Sequence, residues 1–357
     1  MWQAIKYSPK YFAEMLEMTK EQYGEENDIA NKDFIQHQYF NNPSGDAIIA
    51  LAWDSKNDIL AGQYLVAPMR FMYENSSLKC VNSLNTLTKK EYRGQKIFTG
   101  LAENVYSRAK DNDFVFCYGV PNPNSYPGFI NKLHFHQVCA IPLFLRPMCP
   151  SAMIKEFIGS SLLSNIARPF DTVFHTKQAK NNDAYRIVPF THDNLTLADQ
   201  FWKAVSGKYP IMNIRDQQFM RFRYLDMPRR KYYPFFILKG DVPVAWAVGR
   251  VMEVSGMQCG MLADFLFVEG EEIAANRLLS YMLWVLQENG ASVAGSLMLK
   301  HTQEARLLKK KGFFQCPKKL EPQPFPLIVR AFDRQYEQKG LLEAENWFFT
   351  MGDYDVI

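Results

Sequence analysis

Arg93 and Lys96 bracket Gly94 and Gln95 at a point where the pattern of the chain changes. Before them, Leu84, Asn85, Thr86, Leu87 and Thr88 favour extended backbone. After them, Ile97, Leu101, Val105 and Ala109 recur at helical spacing. The segment TKKEYRGQKIFTGL, from Thr88 to Leu101, therefore reads as a strand end, a tight basic turn and the first turns of a helix. The first N–H groups of a helix have no intrahelical acceptor, and its N-terminus is the positive end of the dipole. A turn that adds Arg93 and Lys96 to that end suits a phosphate. An ordinary solvated turn has the same composition.

Other residues could carry proton or ion-pair chemistry. His37, His134 and His136 bear imidazoles that titrate near neutrality, so they are general-base candidates as well as ordinary surface or core residues. Asp264 is a lone acid within MLADFLFV, and a charge inside an apolar strand needs a partner or a cleft. No HExxH, GxSxG or Walker pattern occurs, which argues against metalloprotease, serine hydrolase and P-loop chemistry. The six cysteines, Cys80, Cys117, Cys139, Cys149, Cys259 and Cys316, show no CxxC spacing, and the first three lie in apolar runs. Buried free thiols are expected rather than disulfides or a metal site.

A chain of 357 residues must position these groups, which is enough for two domains. With 47% hydrophobic and 22% charged residues it has the composition of a packed protein. A formal charge of +4 is too small a surplus over this length to indicate nucleic acid, and it suits an anionic small ligand at a local patch. The N-terminus MWQAIKYSPKYF lacks a long apolar core, and no uninterrupted run of about 18 apolar residues is present. No membrane span and a cytoplasmic location are expected.

The patterning predicts a strand over 2–7, helices over 9–23 and 32–40, strands over 46–53, 59–73 and 78–88, and a helix over 95–110. A strand over 114–120, a short helix ending at Leu133 and a strand over 137–145 follow. The order then repeats: strand 184–190, helices 194–206 and 215–225, strands 232–238, 243–252 and 257–268, helix 271–289, strand 291–298 and helix 302–311. FIQHQYFNNP (34–43) aligns without gaps on FMRFRYLDMP (219–228), with Phe34 on Phe219, Tyr39 on Tyr224 and Pro43 on Pro228. Such self-similarity marks a duplicated unit. The expected division is 1–150, a polar linker over 151–183, and 184–357. The two copies differ where the first has YRGQKIF, since the second has FVEGEEIAANRLL. Glu269, Glu271 and Glu272 around Gly270 would favour the helix dipole yet repel a phosphate.

The run Arg93–Phe98 resembles the coenzyme A loop of the GNAT acyltransferases, Q/R-x-x-G-x-G/A, which follows the fourth strand and opens the next helix. Lys96 stands at the family's central glycine and Phe98 at its glycine or alanine. The resemblance implies an α/β fold (layered α+β) of two tandem GNAT-like domains, each a mixed, mostly antiparallel sheet flanked by helices. It also implies acetyl-CoA, or another acyl-CoA, as cofactor in the first domain. The main chain of Asn85, Thr86, Leu87 and Thr88 would hold pantetheine, and Arg93, Gly94, Gln95, Lys96, Ile97, Phe98 and Thr99 the pyrophosphate. Asn122 and Asn124 would be cofactor-side contacts, or turn caps. The family's proton-donor tyrosine falls in a pattern that VPNPNSYPGFINKLHF (120–135) follows at Lys132, Leu133 and Phe135. Ile130 occupies the tyrosine position and His134 that of a glycine. Tyr126, one turn earlier, is then the proton-donor candidate, and His37, on a helix of the acceptor wall, the general-base candidate. The C-terminus ENWFFTMGDYDVI resembles endings of tandem GNAT-like proteins from surface-polysaccharide gene clusters. Asp353 and Asp355 there, with Asp264, would contact substrate. A last strand ending in a solvated turn is the other reading of that tail.

The leading expectation is an acyl-CoA-dependent N-acyltransferase, acetyl by preference, acting on a small-molecule amine such as an amino sugar or nucleotide-linked amino sugar. It needs no metal and no nucleic acid, and it permits a homodimer. Two other readings stand beside it. One is a catalytically silent GNAT-fold ligand-binding or sensor protein, and the other is an aminoacyl-tRNA-dependent peptidyltransferase-like enzyme.

Overall fold

The structure, a computed structural model, describes residues 1–179, 181–182 and 184–354, with their side chains except those of 156–158. The first elements are β1 (Trp2–Lys6), α1 (Phe12–Tyr23), α2 (Lys32–Phe40), β2 (Ile48–Asp54), β3 (Ile59–Tyr73), β4 (Ser76–Thr88), α3 (Ile97–Asp111), β5 (Phe116–Gly119), α4 (Tyr126–Leu133) and β6 (His136–Ala140). There follow β7 (Leu143–Pro147), α5 (Pro150–Ile158), α6 (Ser161–Phe174), β8 (Tyr185–Pro189), α7 (Thr196–Val205), β9 (Ile211–Asn213), α8 (Gln217–Met220), β10 (Tyr233–Lys239), β11 (Val242–Val254) and β12 (Met257–Phe267). The chain ends with α9 (Glu272–Glu288), β13 (Val293–Leu297), α10 (Gln303–Lys310), β14 (Phe314–Gln315) and β15 (Pro326–Ala331).

Two compact units result. The first comprises Met1–Ala140, Met227–Arg230 and Gln323–Asn346, and the second Ile141–Asp226, Lys231–Pro322 and Trp347–Ile357. In the first, the strands run β1-β2-β3-β4-β5-β15-β6, antiparallel throughout except for the parallel pair β4–β5. Alternation along β2 sends Ile48, Ala50 and Ala52 to the face packed by Leu101, Val105 and Ala109 of α3. Ile49 and Leu51 go to the face packed by Met15 and Met18 of α1 and Ile35 of α2. The second unit repeats this with the order β14-β7-β13-β12-β11-β10-β8, where β12–β13 is the parallel pair and α9 buries Leu278, Leu279, Met282 and Leu286 against the sheet.

The expected strand over 137–145 is two strands. Pro142 lacks an N–H for a ladder, and on either side of Ile141–Pro142 the chain enters different sheets: β6 in the first unit, β7 between β13 and β14 in the second. Reciprocally, β15, absent from the sequence reading, lies between β5 and β6. The expected continuous division at 150 and 184 therefore differs from the units, and the stretch read as a linker contains α5 and α6. In place of a last strand, the tail forms 3-10 turns at Ala344–Asn346 and Met351–Asp353, with Trp347, Phe348 and Phe349 fully buried.

The sequence repeat falls on α2 and α8. Asn31 caps the first by accepting from the N–H of Phe34 at 3.2 Å, and Asp216 caps the second by accepting from that of Phe219 at 3.0 Å. After α8 the repeat continues as a π-helical turn over Arg221–Leu225.

Candidate functional site

The basic turn sits where β4 leaves its parallel neighbour. β4 stays on β3 as far as Gly62 opposite Thr88, but it pairs with β5 only at Val81–Cys117 and Asn82–Tyr118. From Ser83 to Thr88 one edge of β4 faces away from β5. A 3-10 turn over Lys90–Tyr92 leads to Arg93, Gly94 (φ 83°), Gln95 and Lys96 (φ 61°, ψ 18°), and α3 begins at Ile97. Side chains hold this loop from its margins. The Tyr92 hydroxyl donates to Asp54 Oδ2 at 2.8 Å, and the same carboxylate accepts from the Lys56 N–H and Asn57 Nδ2. The tyrosine bond, more than these others, lowers the Asp54 pKa to about 2. Trp2 donates from Nε1 to the Gln95 carbonyl at 3.1 Å and covers Gly100 so closely that a Cβ there would lie 2.9 Å from the indole. Phe98 turns inward against Tyr64 and Phe129, with ring centroids 5.8 and 5.4 Å away.

The middle of the loop is open. Among the described residues, no acceptor stands on the N–H groups of Gly94, Gln95, Lys96, Ile97, Phe98 and Thr99. Nothing lies within 4 Å of where a Cβ on Gly94 would be. Arg93 and Lys96 are exposed and have no ion-pair partner among the described residues. Six N–H groups without an acceptor, two cations without an ion-pair partner among the described residues and the dipole of α3 thus stand on one loop, an arrangement suited to a pyrophosphate.

One turn of strand earlier, β4 carries a bulge. Gln63 faces Leu87 and Leu65 faces Leu84, so Asn85 and Thr86 together oppose Tyr64. Asn85 is left-handed (φ 45°), and its Nδ2 donates to the Tyr39 hydroxyl at 2.9 Å. Gln63 donates from Nε2 to the Asn85 carbonyl at 3.3 Å. Gln63 Oε1, Asn85 Oδ1 and Thr86 Oγ1 are buried with no hydrogen-bond partner. A buried polar atom left unpaired costs about 1–3 kcal/mol, and a left-handed non-glycine residue roughly 1–2 kcal/mol more. These penalties fall at the bulge of β4 and on Gln63 of β3 beside it, next to the stretch of β4 that β5 does not pair. The residues present therefore fit an extended thioester arm leading to a pyrophosphate.

The remaining expected residues of this unit lie on β4, α2, α4 and the turn before α4, and α4 packs on Phe98 of the loop. Leu87 is buried and Thr88 half-buried at the end of β4. Tyr126, at the start of α4, donates its hydroxyl to Gln137 Oε1 at 2.6 Å. Asn122 accepts from the N–H groups of Asn124 and Ser125, both at 3.0 Å, so its side chain organises the turn before α4, and Asn124 is exposed. Ile130, partly buried, packs against the same core as Leu101 and Val105 of α3. His37 is buried near the end of α2. Gln63, Tyr39 and Tyr92 were not singled out by the sequence reading. The coincidence of Tyr39 with Tyr224 in the repeat was the available signal for the second of them.

That coincidence has a structural meaning. Tyr224 of the second unit donates its hydroxyl to Asp264 Oδ2 at 3.1 Å, and Asp264 stands beside the bulge on β12, whereas Asn85 stands within that on β4. Each repeat tyrosine thus meets the polar residue of the bulged fourth strand of its own unit. The outcomes differ. Asp264 is fully buried and saturated: Arg215 Nε donates at 2.9 Å, Trp246 Nε1 at 3.2 Å and Thr350 Oγ1 at 3.1 Å. The same Arg215 donates to Asp353 Oδ2 at 2.9 Å, and burial raises the Asp353 carboxyl pKa against the pull of that guanidinium. Asp264 and Asp353, expected to contact substrate, are brought together in this closed knot and would have to leave Arg215 to do so. Asp355 lies outside the described residues. At the start of α9, Glu271 binds Lys239 at 2.7 Å and accepts from the Tyr185 hydroxyl, so an acid already stands at the helix end that corresponds to the Arg93 loop.

No protein-family profile and no curated protein matches the sequence. Solved structures match the fold. A conserved protein of unknown function from Enterococcus faecalis V583, described as a probable N-acyltransferase, aligns with a TM-score of 0.63 at 8% identity over 93% of this chain and 73% of its own. A GCN5-related N-acetyltransferase from Anabaena variabilis ATCC 29413 aligns with a TM-score of 0.63 at 9% identity over the same shares. N-myristoyltransferase of Saccharomyces cerevisiae, solved with bound myristoyl-CoA, aligns with a TM-score of 0.62 at 8% identity over 92% of this chain and 82% of its own. The fold is that of two tandem GNAT-like domains. At these identities the likeness is one of fold.

Proposed function

We propose that this chain is an acyl-coenzyme A dependent N-acyltransferase, with the cofactor in the first unit and a small amine as acceptor. The single observation that carries the proposal is the Arg93–Thr99 loop, whose free N–H groups and unpaired cations follow directly on the diverging, bulged stretch of β4. Arg93, Lys96 and the amides from Gly94 to Thr99 hold the pyrophosphate. The edge of β4 from Asn85 to Thr88 holds the pantetheine arm through its main chain. When bound, the coenzyme supplies an activated acyl thioester. The chain's share is orientation, exclusion of water by the apolar faces of α1 and α2, and control of protons. Tyr126 is assigned the proton donated to the leaving thiolate, for which its hydroxyl would turn from Gln137 Oε1. His37 is assigned the proton taken from the amine.

The second unit is a degenerate copy that takes no coenzyme, a reading supported by Glu271 at its helix end and by the saturated Asp264 knot. The acetyl group as acyl chain, and an amino sugar or nucleotide-linked amino sugar as acceptor, rest on the sequence resemblance. One observation favours a silent binding protein instead: at the family's tyrosine position stands Ile130, which bears no proton to donate and packs, partly buried, against the core.

Calorimetric titration with acetyl-CoA tests the proposal. Binding in the micromolar range is expected, weakened at least about tenfold, or 1.4 kcal/mol, by Arg93→Glu. Absence of binding at high micromolar ligand sinks the proposal. Thiol release on addition of amines then separates the enzyme from a silent binder, and Tyr126→Phe is expected to lower turnover while leaving acetyl-CoA affinity intact.

A further inference from the structure

A cleft of about 980 Å³ opens in the first unit, lined by the end of β1, the turn after α2 and the last turn of α3. It lies far from the coenzyme loop, since the 15 residues of α3 that separate them span roughly 22 Å. Its volume is within the range of small-ligand sites. Aromatic rings form part of the wall. Tyr7 and Phe40 stack with centroids 5.2 Å apart at 24°, and Phe114 lines the same space. Lys6, Lys79 and Arg108 all line the cleft, against a single acid, Asp46.

Arg108 is the informative member of this set. It is half-buried, and Nη1 donates to the Ile49 carbonyl at 2.7 Å, which fixes the guanidinium at the cleft wall. Among the described residues no carboxylate pairs with it, nor with Lys6 or Lys79. Burial lowers the Arg108 pKa, the mark of a cation short of a counter-charge. A planar guanidinium with unused donors matches carboxylate and phosphate geometry, and the neighbouring rings offer a flat apolar surface.

We propose that this cleft is a second ligand site, distinct from the coenzyme loop, for a planar aromatic anion whose ring lies against Tyr7 and Phe40 and whose carboxylate or phosphate meets Arg108, Lys79 and Lys6. Nothing in the proposed acyl transfer uses these residues. The shared chemistry is a ring joined to an anion, from either an aromatic carboxylic acid or a nucleotide.

Calorimetry on the full chain with 4-hydroxyphenylacetate and with AMP distinguishes the two sources. Adenosine serves as a ring without charge and ribose 5-phosphate as a charge without a ring. At least one of the ring-bearing anions is expected to bind in the micromolar range, with both controls at least about tenfold weaker. Lys6→Gln with Lys79→Gln, both exposed and harmless to folding, should weaken that binding at least about tenfold, while Arg93→Glu leaves it unchanged. The proposal is overturned if neither anion binds, if ribose 5-phosphate binds as well as AMP, or if binding survives the double lysine change. It is also overturned if Arg93→Glu abolishes binding, since the anion then occupies the coenzyme loop.

Discussion

Lys96 holds a left-handed backbone conformation just before α3, where a side chain is disfavoured by about 1–2 kcal/mol. Its ammonium lies exposed beside the free amides of the loop. Charge at a phosphate and ease of backbone geometry are therefore in competition at one residue. Glycine would remove the strain and return roughly 0.5–1 kcal/mol through its greater freedom in the unfolded chain. Lys96→Gly is accordingly expected to stabilise the protein by up to about 1 kcal/mol in urea unfolding, while weakening acetyl-CoA severalfold in titration. A variant that bound acetyl-CoA more tightly would show that Lys96 obstructs the loop instead of serving it. Arg93 needed only its type and position to be singled out. Asn85 needed the fold, because a bulge and a partner 46 residues away at Tyr39 give it its character.

At the scale of elements, the loop depends on the hairpin beside it. Tyr92 ties the 3-10 turn before Arg93 to Asp54 at the end of β2, and this bond leads the depression of the Asp54 pKa to about 2. The folded value lies below the ordinary carboxylate value of about 3.9. The contribution of Asp54 to stability is thus complete above about pH 4 and is lost as pH falls through about 2. Tyr92→Phe is expected to raise the Asp54 pKa toward its ordinary value in a carboxyl NMR titration and to move the acid transition of the loop to higher pH. An unchanged titration would mean that Lys56 and Asn57 suffice to hold the carboxylate. The elements of the two repeats were legible from periodicity, whereas α5, α6 and β15, which lie outside the repeated order, were not. The apolar residues on both sides of Pro142 have the pattern of one strand, and only the break in the ladder at this proline separates β6 from β7.

At the scale of the molecule, each sheet receives a strand from beyond its own continuous run: β15 completes the first and β7 the second. A fragment ending at Ala140 keeps every element of the first repeat but leaves β5 and β6 without the strand between them. Such a fragment is expected to lack a cooperative thermal transition by circular dichroism and to show unprotected amides in hydrogen exchange. A fragment that melts cooperatively would show that β15 is dispensable. The sequence by itself determined the duplicated element order, the basic helix start at Arg93–Lys96 and the acidic helix start in the second copy, since each rests on near neighbours, spacing and charge. Only the tertiary structure decided that β7 and β15 trade sheets, and that Asp264 is closed off by Arg215 and Asp353 while Asn85 keeps an unpaired oxygen. Those outcomes depend on residues as distant in the chain as Phe116 and Ala331 pairing across a sheet, or Arg215 and Asp353 meeting in a core, and no local pattern encodes which distant partner arrives.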